Sequence, residues 1–183
     1  KGVVVAELFN GVVWGGIYLD KILNIHLNDS LYNDAQLRRE HESTSLLPGR
    51  NYTQLEHHWD LAYGYYQYWL PFIQTSGLSV LRASRIKIYN AFALGRQALT
   101  EFRYDEVQKQ LLLIRAELSK VAAVRAMSLL VGEITLANLD EDINNALVFL
   151  SKGCGAVYGL QFTLQASGKP HLSYEEATRY IAL

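Results

Sequence analysis

The most distinctive group of polar and aromatic side chains in the sequence is the run Glu56-His57-His58-Trp59-Asp60. Thr53-Gln54-Leu55-Glu56 matches the capping-box pattern, so a helix is predicted to begin there. On that helix Glu56 and Asp60 lie one turn apart, beside an apolar stripe. The stripe consists of Leu55, Trp59, Ala62, Tyr66 and Trp69. Two carboxylates are therefore predicted to share one half-buried face of the helix.

Two interpretations of this face remain open. His57 and Asp60 are three residues apart and meet on the helix surface, and with Glu56 they offer nitrogen and oxygen ligands that suit iron or zinc. Alternatively, Glu56 caps the helix, His57 and Asp60 form a hydrogen-bonded pair, and Trp59 and its aromatic neighbours belong to the core. The second interpretation is favoured, because such spacings are common on helices. A metal or small-ligand site at Glu56, His57 and Asp60 is the functional hypothesis.

Carboxylates beside a buried stripe need a cation or a hydrogen-bond donor. Arg96 is the expected partner, because the adjacent Gly95 lets its helix approach closely, and Arg125 is the second choice. An arginine held by both carboxylates would favour a structural role, since few oxygens would remain for a metal.

Two other groups receive ordinary interpretations. Glu40, His41 and Glu42 fall in a polar segment and are expected to be solvated. His26, near the end of the first predicted helix, is expected to act as a cation at the helix dipole.

The elements that position these residues are predicted to be helices. Prolines 48, 71 and 170 lie between periodic segments, where proline ends a helix. The expected fold is an all-α antiparallel bundle in a single domain, 1–183, with a long loop at 28–51. Its six helices are expected at 3–27, 53–70, 79–103, 105–137, 140–164 and 174–182.

Spacing supports this fold class. Ile88, Phe92, Gly95, Leu99 and Phe102 alternate at four and three residues, which predicts one buried stripe on the third helix. The fourth and fifth helices repeat the pattern. Gly11/Gly15 and Gly155/Gly159 have the spacing of closely packed helices, and Ser173-Tyr174-Glu175-Glu176 is a second capping box.

Composition excludes several classes of function. Lys and Arg total 17 against 18 Asp and Glu, without a basic cluster, so nucleic acid is not an expected partner. The sequence lacks Gly-x-Ser-x-Gly and His-Glu-x-x-His motifs, so a hydrolase is not supported. The apolar run Leu8–Leu19 is shorter than the ~20 residues of a spanning helix, and no transmembrane helix is expected.

Several segments together resemble an uncharacterised family of bacterial cell-envelope proteins, largely from Bacteroidetes and gammaproteobacteria and related to imelysins. They are Gly11-Val12-Val13-Trp14-Gly15, the run from Tyr52 to Asp60, Gly95-Arg96, Leu160-Gln161-Phe162 and Leu172-Ser173-Tyr174-Glu175-Glu176. The resemblance implies an all-helical, often lipid-anchored envelope protein without an assigned activity, linked through imelysins to iron uptake or metal binding. The imelysin His-x-x-Glu motif corresponds here to His57-His58-Trp59-Asp60, with a shorter carboxylate.

The sequence therefore predicts a non-enzymatic envelope binding protein with a metal or small-ligand site, located in the periplasm or at the outer-membrane surface. The alternative is a structural or adhesion subunit that assembles with protein partners through helix faces. A peptidase of the imelysin type is the weakest hypothesis.

Overall fold

The computed structural model describes residues 2–132 and 143–181. Within these ranges an antiparallel bridge between Leu164 and Pro170 is the only extended pairing. The all-α helical-bundle class is confirmed. The α-helices are α1 (Val5–Val13), α2 (Asp29–Asn33), α3 (Ala35–Glu42), α4 (Gln54–Tyr66), α5 (Leu70–Thr75), α6 (Ser79–Thr100), α7 (Tyr104–Met127), α8 (Ile143–Gly159) and α9 (Tyr174–Ile181).

Several helices continue into other helical geometries. π-Helical turns at Trp14–Leu19 and Lys21–His26 extend α1, and another at Ser128–Gly132 follows α7. A 3₁₀ turn at Leu160–Phe162 follows α8. The predicted last residues of the fourth helix, 133–137, and first residues of the fifth, 140–142, lie outside the described residues, as does position 182.

The predicted long loop at 28–51 is wrong over its first half, which contains α2 and α3. The Asn28 side chain caps α2 by accepting from the Ser30 N–H at 2.9 Å. Asp34 caps α3 by accepting from the N–H groups of Gln36 and Leu37, each at 2.8 Å. Both helices are short and mostly polar, so they lack the apolar period that would have identified them.

Pro71 does not end the second predicted helix. After α4, a 3₁₀ turn at Gln67–Trp69 leads directly into α5, and Pro71 occupies the first turn of α5. Proline is tolerated there because a first-turn N–H has no partner within the helix. The predicted end at residue 70 is therefore wrong, and the helical path continues to Thr75.

The chain divides into two compact units, residues 21–117 and residues 1–20 with 118–183. The expectation of a single domain stays a prediction, and each unit is described by itself. The unit of residues 21–117 contains the predicted site. Its fully buried side chains come from α2, α4, the turns after α1 and α4, α6 and α7, and include Tyr32, Trp59, Tyr66, Trp69, Ile88 and Leu111.

α2 and α3 are fixed to α7 within this unit. Asp29 accepts from Arg115 Nη2 at 3.1 Å and from Gln108 Nε2 at 2.8 Å. His41 Nδ1 lies 3.0 Å from the Tyr104 hydroxyl. The expectation that His41 is solvated is wrong, because only 3% of it is exposed. These polar contacts hold in place a segment that has few apolar side chains.

In the other unit α1 packs against α8 through glycine. A Cβ on Gly11 would lie 2.5 Å from the carbonyl oxygen of Lys152, and one on Gly15 would overlap Gly159. The predicted close approach of Gly11/Gly15 and Gly155/Gly159 is confirmed. Arg125 also belongs to this unit, and its guanidinium lies 4.3 Å from the centre of the Trp14 ring.

Among residues 2–132 and 143–181, no helix is both long enough and apolar enough to cross a membrane.

Candidate ligand-binding groove

Arg96 on α6 bridges the two carboxylates of α4. Its Nη1 donates to Glu56 Oε1 at 2.9 Å, and its Nε donates to Asp60 Oδ1 at 3.1 Å. The Arg96 and Glu56 side chains are mostly buried, whereas half of the Asp60 side chain is exposed. The structure thus brings together three of the residues that the sequence singled out, in an ion pair shared by two helices.

Glu56 also closes the capping box at the start of α4. Its Oε2 accepts from the Thr53 backbone N–H at 2.9 Å and from the Thr53 hydroxyl at 3.0 Å. Burial raises the pKa of Glu56, but the bonds from Thr53 and the charge of Arg96 outweigh burial and hold the pKa below its usual value. Both oxygens of Glu56 are therefore engaged in fixing the helix start and the arginine.

Trp59 sets the distance between α4 and α6. Its indole N–H donates to the Phe92 carbonyl at 3.0 Å, and 1% of the residue is exposed. A Cβ on Gly95 would overlap the indole ring. Because residue 95 is glycine, the indole lies directly on the backbone of α6, and this places Arg96 within reach of Glu56 and Asp60.

The two histidines point away from this ion pair. His57 stacks on Tyr52, with ring centroids 4.7 Å apart, and no hydrogen bond joins it to Asp60 in the part of the chain that is described. His58 Nδ1 lies 3.0 Å from His26 Nδ1. Burial and the nearby His58 lower the pKa of His26 to about 4, so His26 is neutral at pH 7. The expectation of a cationic His26 at a helix end is wrong.

The described residues contain no group of three or more His, Cys, Asp and Glu side chains placed to hold a metal ion. Arg96 already occupies one oxygen of each carboxylate. Iron or zinc at Glu56, His57 and Asp60 stays a prediction, and it would require the release of Arg96 and a rotation of His57.

A groove begins beside the ion pair and runs between α4–α5 and α6. Its first cavity, of about 240 Å³, is lined by Trp59, Asp60, Tyr63, Tyr89, Phe92, Ala93 and Arg96. The second, of about 340 Å³, shares Tyr63 and Tyr89 and adds Tyr66, Leu70, Gln74, Arg85 and Ile86. A third, of about 130 Å³, shares Gln74 and Arg85 and adds Ile73, Gly77, Leu78 and Arg82. We call these adjoining cavities the aromatic groove.

The walls of the aromatic groove present ring faces and edges to solvent. Tyr89 is 57% exposed and Tyr63 is 36% exposed. Tyr63 packs edge-on against Phe92, with centroids 5.3 Å apart, and Tyr66 stacks on the same ring at 5.6 Å. A concave surface with mainly apolar walls and a few polar groups is typical of small-molecule sites.

The α6 wall of the groove was not predicted as one surface, although Phe92 and Arg96 were each singled out from the sequence. Arg82, Arg85, Tyr89, Phe92 and Arg96 recur at intervals of three, four, three and four residues, which is the spacing of one helix face. This stripe lies beside the more apolar stripe of Ile88 and Leu99, which has the stronger periodic signal.

One protein-family model matches residues 1–183 of the chain, and its description is a domain of unknown function (DUF4856). No curated protein and no solved structure matches the sequence.

Proposed function

Because the chain belongs to the family described as a domain of unknown function (DUF4856), we propose a function from the groove itself: this is a non-enzymatic protein that binds a small ligand in the aromatic groove. The ligand contacts the rings of Tyr63 and Tyr89. Asp60 and Arg96 provide polar contacts at one end of it.

The observation that carries this proposal is the exposure of aromatic rings in a concave surface. Tyr63 and Tyr89 line two adjoining cavities. Their rings remain accessible to solvent, although burial of apolar surface is favourable. The charged pair at the end of the groove is rigid, because two carboxylates hold Arg96. Rigid polar groups beside apolar walls orient a ligand with little loss of conformational entropy.

A binding role suits the groove better than catalysis does. Its polar lining consists of arginines, Asp60, Gln74 and tyrosines, and Asp60 is held by Arg96. In the described part of the chain, no nucleophile beside a general base lines these cavities. We place the protein in the periplasm or at the outer-membrane surface, lipid-anchored in its full-length form, on the sequence resemblance to imelysin-related envelope proteins.

The neutral fluorescent dye N-phenyl-1-naphthylamine tests the groove, because its two ring systems match the aromatic walls. We expect saturable binding with enhanced emission. Ala93→Trp fills the first cavity and should weaken binding about tenfold or more, equivalent to about 1.4 kcal/mol. Ala83→Trp is the matched control, because Ala83 is also an exposed alanine of α6 and lines none of the three cavities. Equal binding by both variants would contradict the proposal.

A second candidate function, assembly with protein partners, is favoured by one observation in the other unit. Val5 and Phe9, one turn apart on α1, are 73% and 66% exposed. Exposed apolar side chains on one helix face are typical of interaction sites. Light scattering after size exclusion tests self-association: an oligomer that Phe9→Ser dissociates would support assembly, and a monomer at all concentrations would argue against self-assembly through this face.

A further inference from the structure

The charges along the aromatic groove are compensated at one end only. At the first cavity, Glu56 and Asp60 neutralise Arg96. The second and third cavities are lined by Arg85, and the third also by Arg82, and no acidic residue lines either of them among the residues that the structure describes. Neither arginine forms an ion pair within residues 2–132 and 143–181. The groove is therefore cationic at the end away from Asp60.

Tyr66 lines the same part of the groove. Tyr66 lines the second cavity and is 1% exposed, yet its hydroxyl has no hydrogen-bond partner among the described residues. A buried hydroxyl without a partner is costly. Burial raises the pKa of Tyr66 to about 12, although the charge of Arg85 opposes the shift. The phenol is thus protonated at pH 7 and can donate a hydrogen bond.

We propose that the aromatic groove binds an organic anion: a compound with a ring system that lies against Tyr63 and Tyr89, and an acidic group that is bound by Arg82, Arg85 and the Tyr66 hydroxyl. This inference rests on the proposed function and adds the chemical class of the ligand.

The contacts suit an oxyanion in particular. Arg82 and Arg85 are three residues apart, so their guanidinium groups lie on one face of α6. Guanidinium groups bind carboxylate and phosphate oxygens through paired hydrogen bonds. Gln74, on α5, lines both the second and third cavities and supplies an amide from the opposite wall. A carboxylate and a phosphate ester accept hydrogen bonds from the same donors. Experiment must therefore distinguish these two kinds of ligand.

Two dyes that differ by one acidic group provide the test. 1-Anilinonaphthalene-8-sulfonate is N-phenyl-1-naphthylamine with a sulfonate added. The wild-type protein should bind the sulfonate dye about tenfold more tightly than the neutral dye in dilute salt. The double variant Arg82→Met/Arg85→Met should lose this preference, so that its affinities for the two dyes lie within about twofold of each other.

The matched control is Arg39→Met/Arg50→Met, which removes the same charge at two exposed arginines outside the groove linings. It should retain the preference for the sulfonate dye. An equal loss in both double variants would overturn the proposal, because the effect would then reflect net charge alone. Thermal melts of all variants identify any that fail to fold.

Tyr66→Phe provides a second, independent variant. It removes the hydroxyl without changing the ring, so it should weaken binding of the sulfonate dye severalfold more than it weakens binding of the neutral dye. The free protein should melt at the same or a higher temperature, because a buried hydroxyl without a partner has been removed. Unchanged affinity for the sulfonate dye would overturn the role of Tyr66.

Displacement of the bound sulfonate dye identifies the acidic group. Phenylacetate should displace it best if the site takes carboxylates, and phenyl phosphate should displace it best if the site takes phosphate esters. Equal displacement by neutral benzyl alcohol would overturn the anion proposal.

If neither dye binds the wild-type protein, the proposed function itself fails. If the neutral dye binds and Ala93→Trp blocks it, but the sulfonate confers no preference, only the anion inference fails.

Discussion

Arg96 is the residue that decides between a metal site and a structural ion pair at Glu56 and Asp60. Its guanidinium donates to both Glu56 and Asp60, which is an arrangement that stabilises packed helices and leaves few oxygens for a cation. Asp60 also lines the first cavity of the groove. The same aspartate therefore contributes to the ion pair and to the groove wall.

Asp60→Asn separates the structural role from a metal role. Half of the Asp60 side chain is exposed, so its loss should lower the free energy of unfolding by only about 0–1 kcal/mol. Glu56→Gln should lower the free energy of unfolding by more, about 1–2 kcal/mol, because glutamine has one acceptor oxygen and cannot accept from both Thr53 and Arg96 as the two oxygens of Glu56 do. Elemental analysis of freshly purified protein should find iron and zinc far below one equivalent in all three proteins. Stoichiometric metal in the wild type that disappears in Asp60→Asn would contradict this account.

His26 makes stability depend on pH. Its pKa is lowered to about 4 in the folded protein, so the folded state binds a proton less readily than the unfolded chain does. The contribution of His26 to the free energy of unfolding is complete above about pH 6.5 and is lost as the pH falls toward 4. The loss amounts to at most about 3 kcal/mol. Urea unfolding at pH 7.0 and 4.5 should show a smaller pH dependence in His26→Gln than in the wild type. An identical pH dependence in both proteins would refute this assignment.

Among the helices, α4 and α6 form the site because of one glycine. Gly95 lets the Trp59 indole reach the carbonyl of Phe92, and the aromatic groove follows the seam beyond this contact. Glycine inside a helix costs about 1 kcal/mol relative to alanine. Here the close approach offsets that cost through burial of the indole.

Alanine at two glycines tests this packing. Gly95→Ala should lower the free energy of unfolding by about 1–2 kcal/mol, because the overlap with Trp59 outweighs the gain in helix propensity. Gly64→Ala is the control: Gly64 also lies inside a helix, α4, but a Cβ there meets nothing within 4 Å. It should raise the stability by up to about 1 kcal/mol. Denaturant midpoints of the two variants should therefore move in opposite directions, and a stabilised Gly95→Ala would refute the packing argument.

The sequence predicted those helices whose signals are local. The capping boxes at Thr53 and Ser173 are both formed, and the apolar stripe from Leu55 to Trp69 is buried. The end of the second helix was predicted wrongly at Pro71, because a proline in a first turn resembles one that ends a helix. The helices that begin after Asn28 and Asp34 were not predicted, because capping side chains are also common in loops.

Across the whole molecule, partners from distant parts of the chain were harder to predict than helices. Arg96 could be named as a partner of Glu56 and Asp60, because Gly95 marks a close approach. The groove could not be named, since it depends on how α4 and α5 lie against α6. Likewise, the pairing of His26 with His58, and of His41 with Tyr104, joins residues 32 and 63 positions apart in sequence.

Ligand binding in the aromatic groove is the central claim, and an NMR titration of isotope-labelled protein with 1-anilinonaphthalene-8-sulfonate tests it most directly. The account predicts that the largest backbone amide shift changes occur around Tyr63, Gln74, Arg85 and Tyr89, and that Ala93→Trp reduces them while Ala83→Trp does not. Shift changes that centre instead on Phe9 and Met127, two of the exposed apolar residues of the other unit, would contradict it.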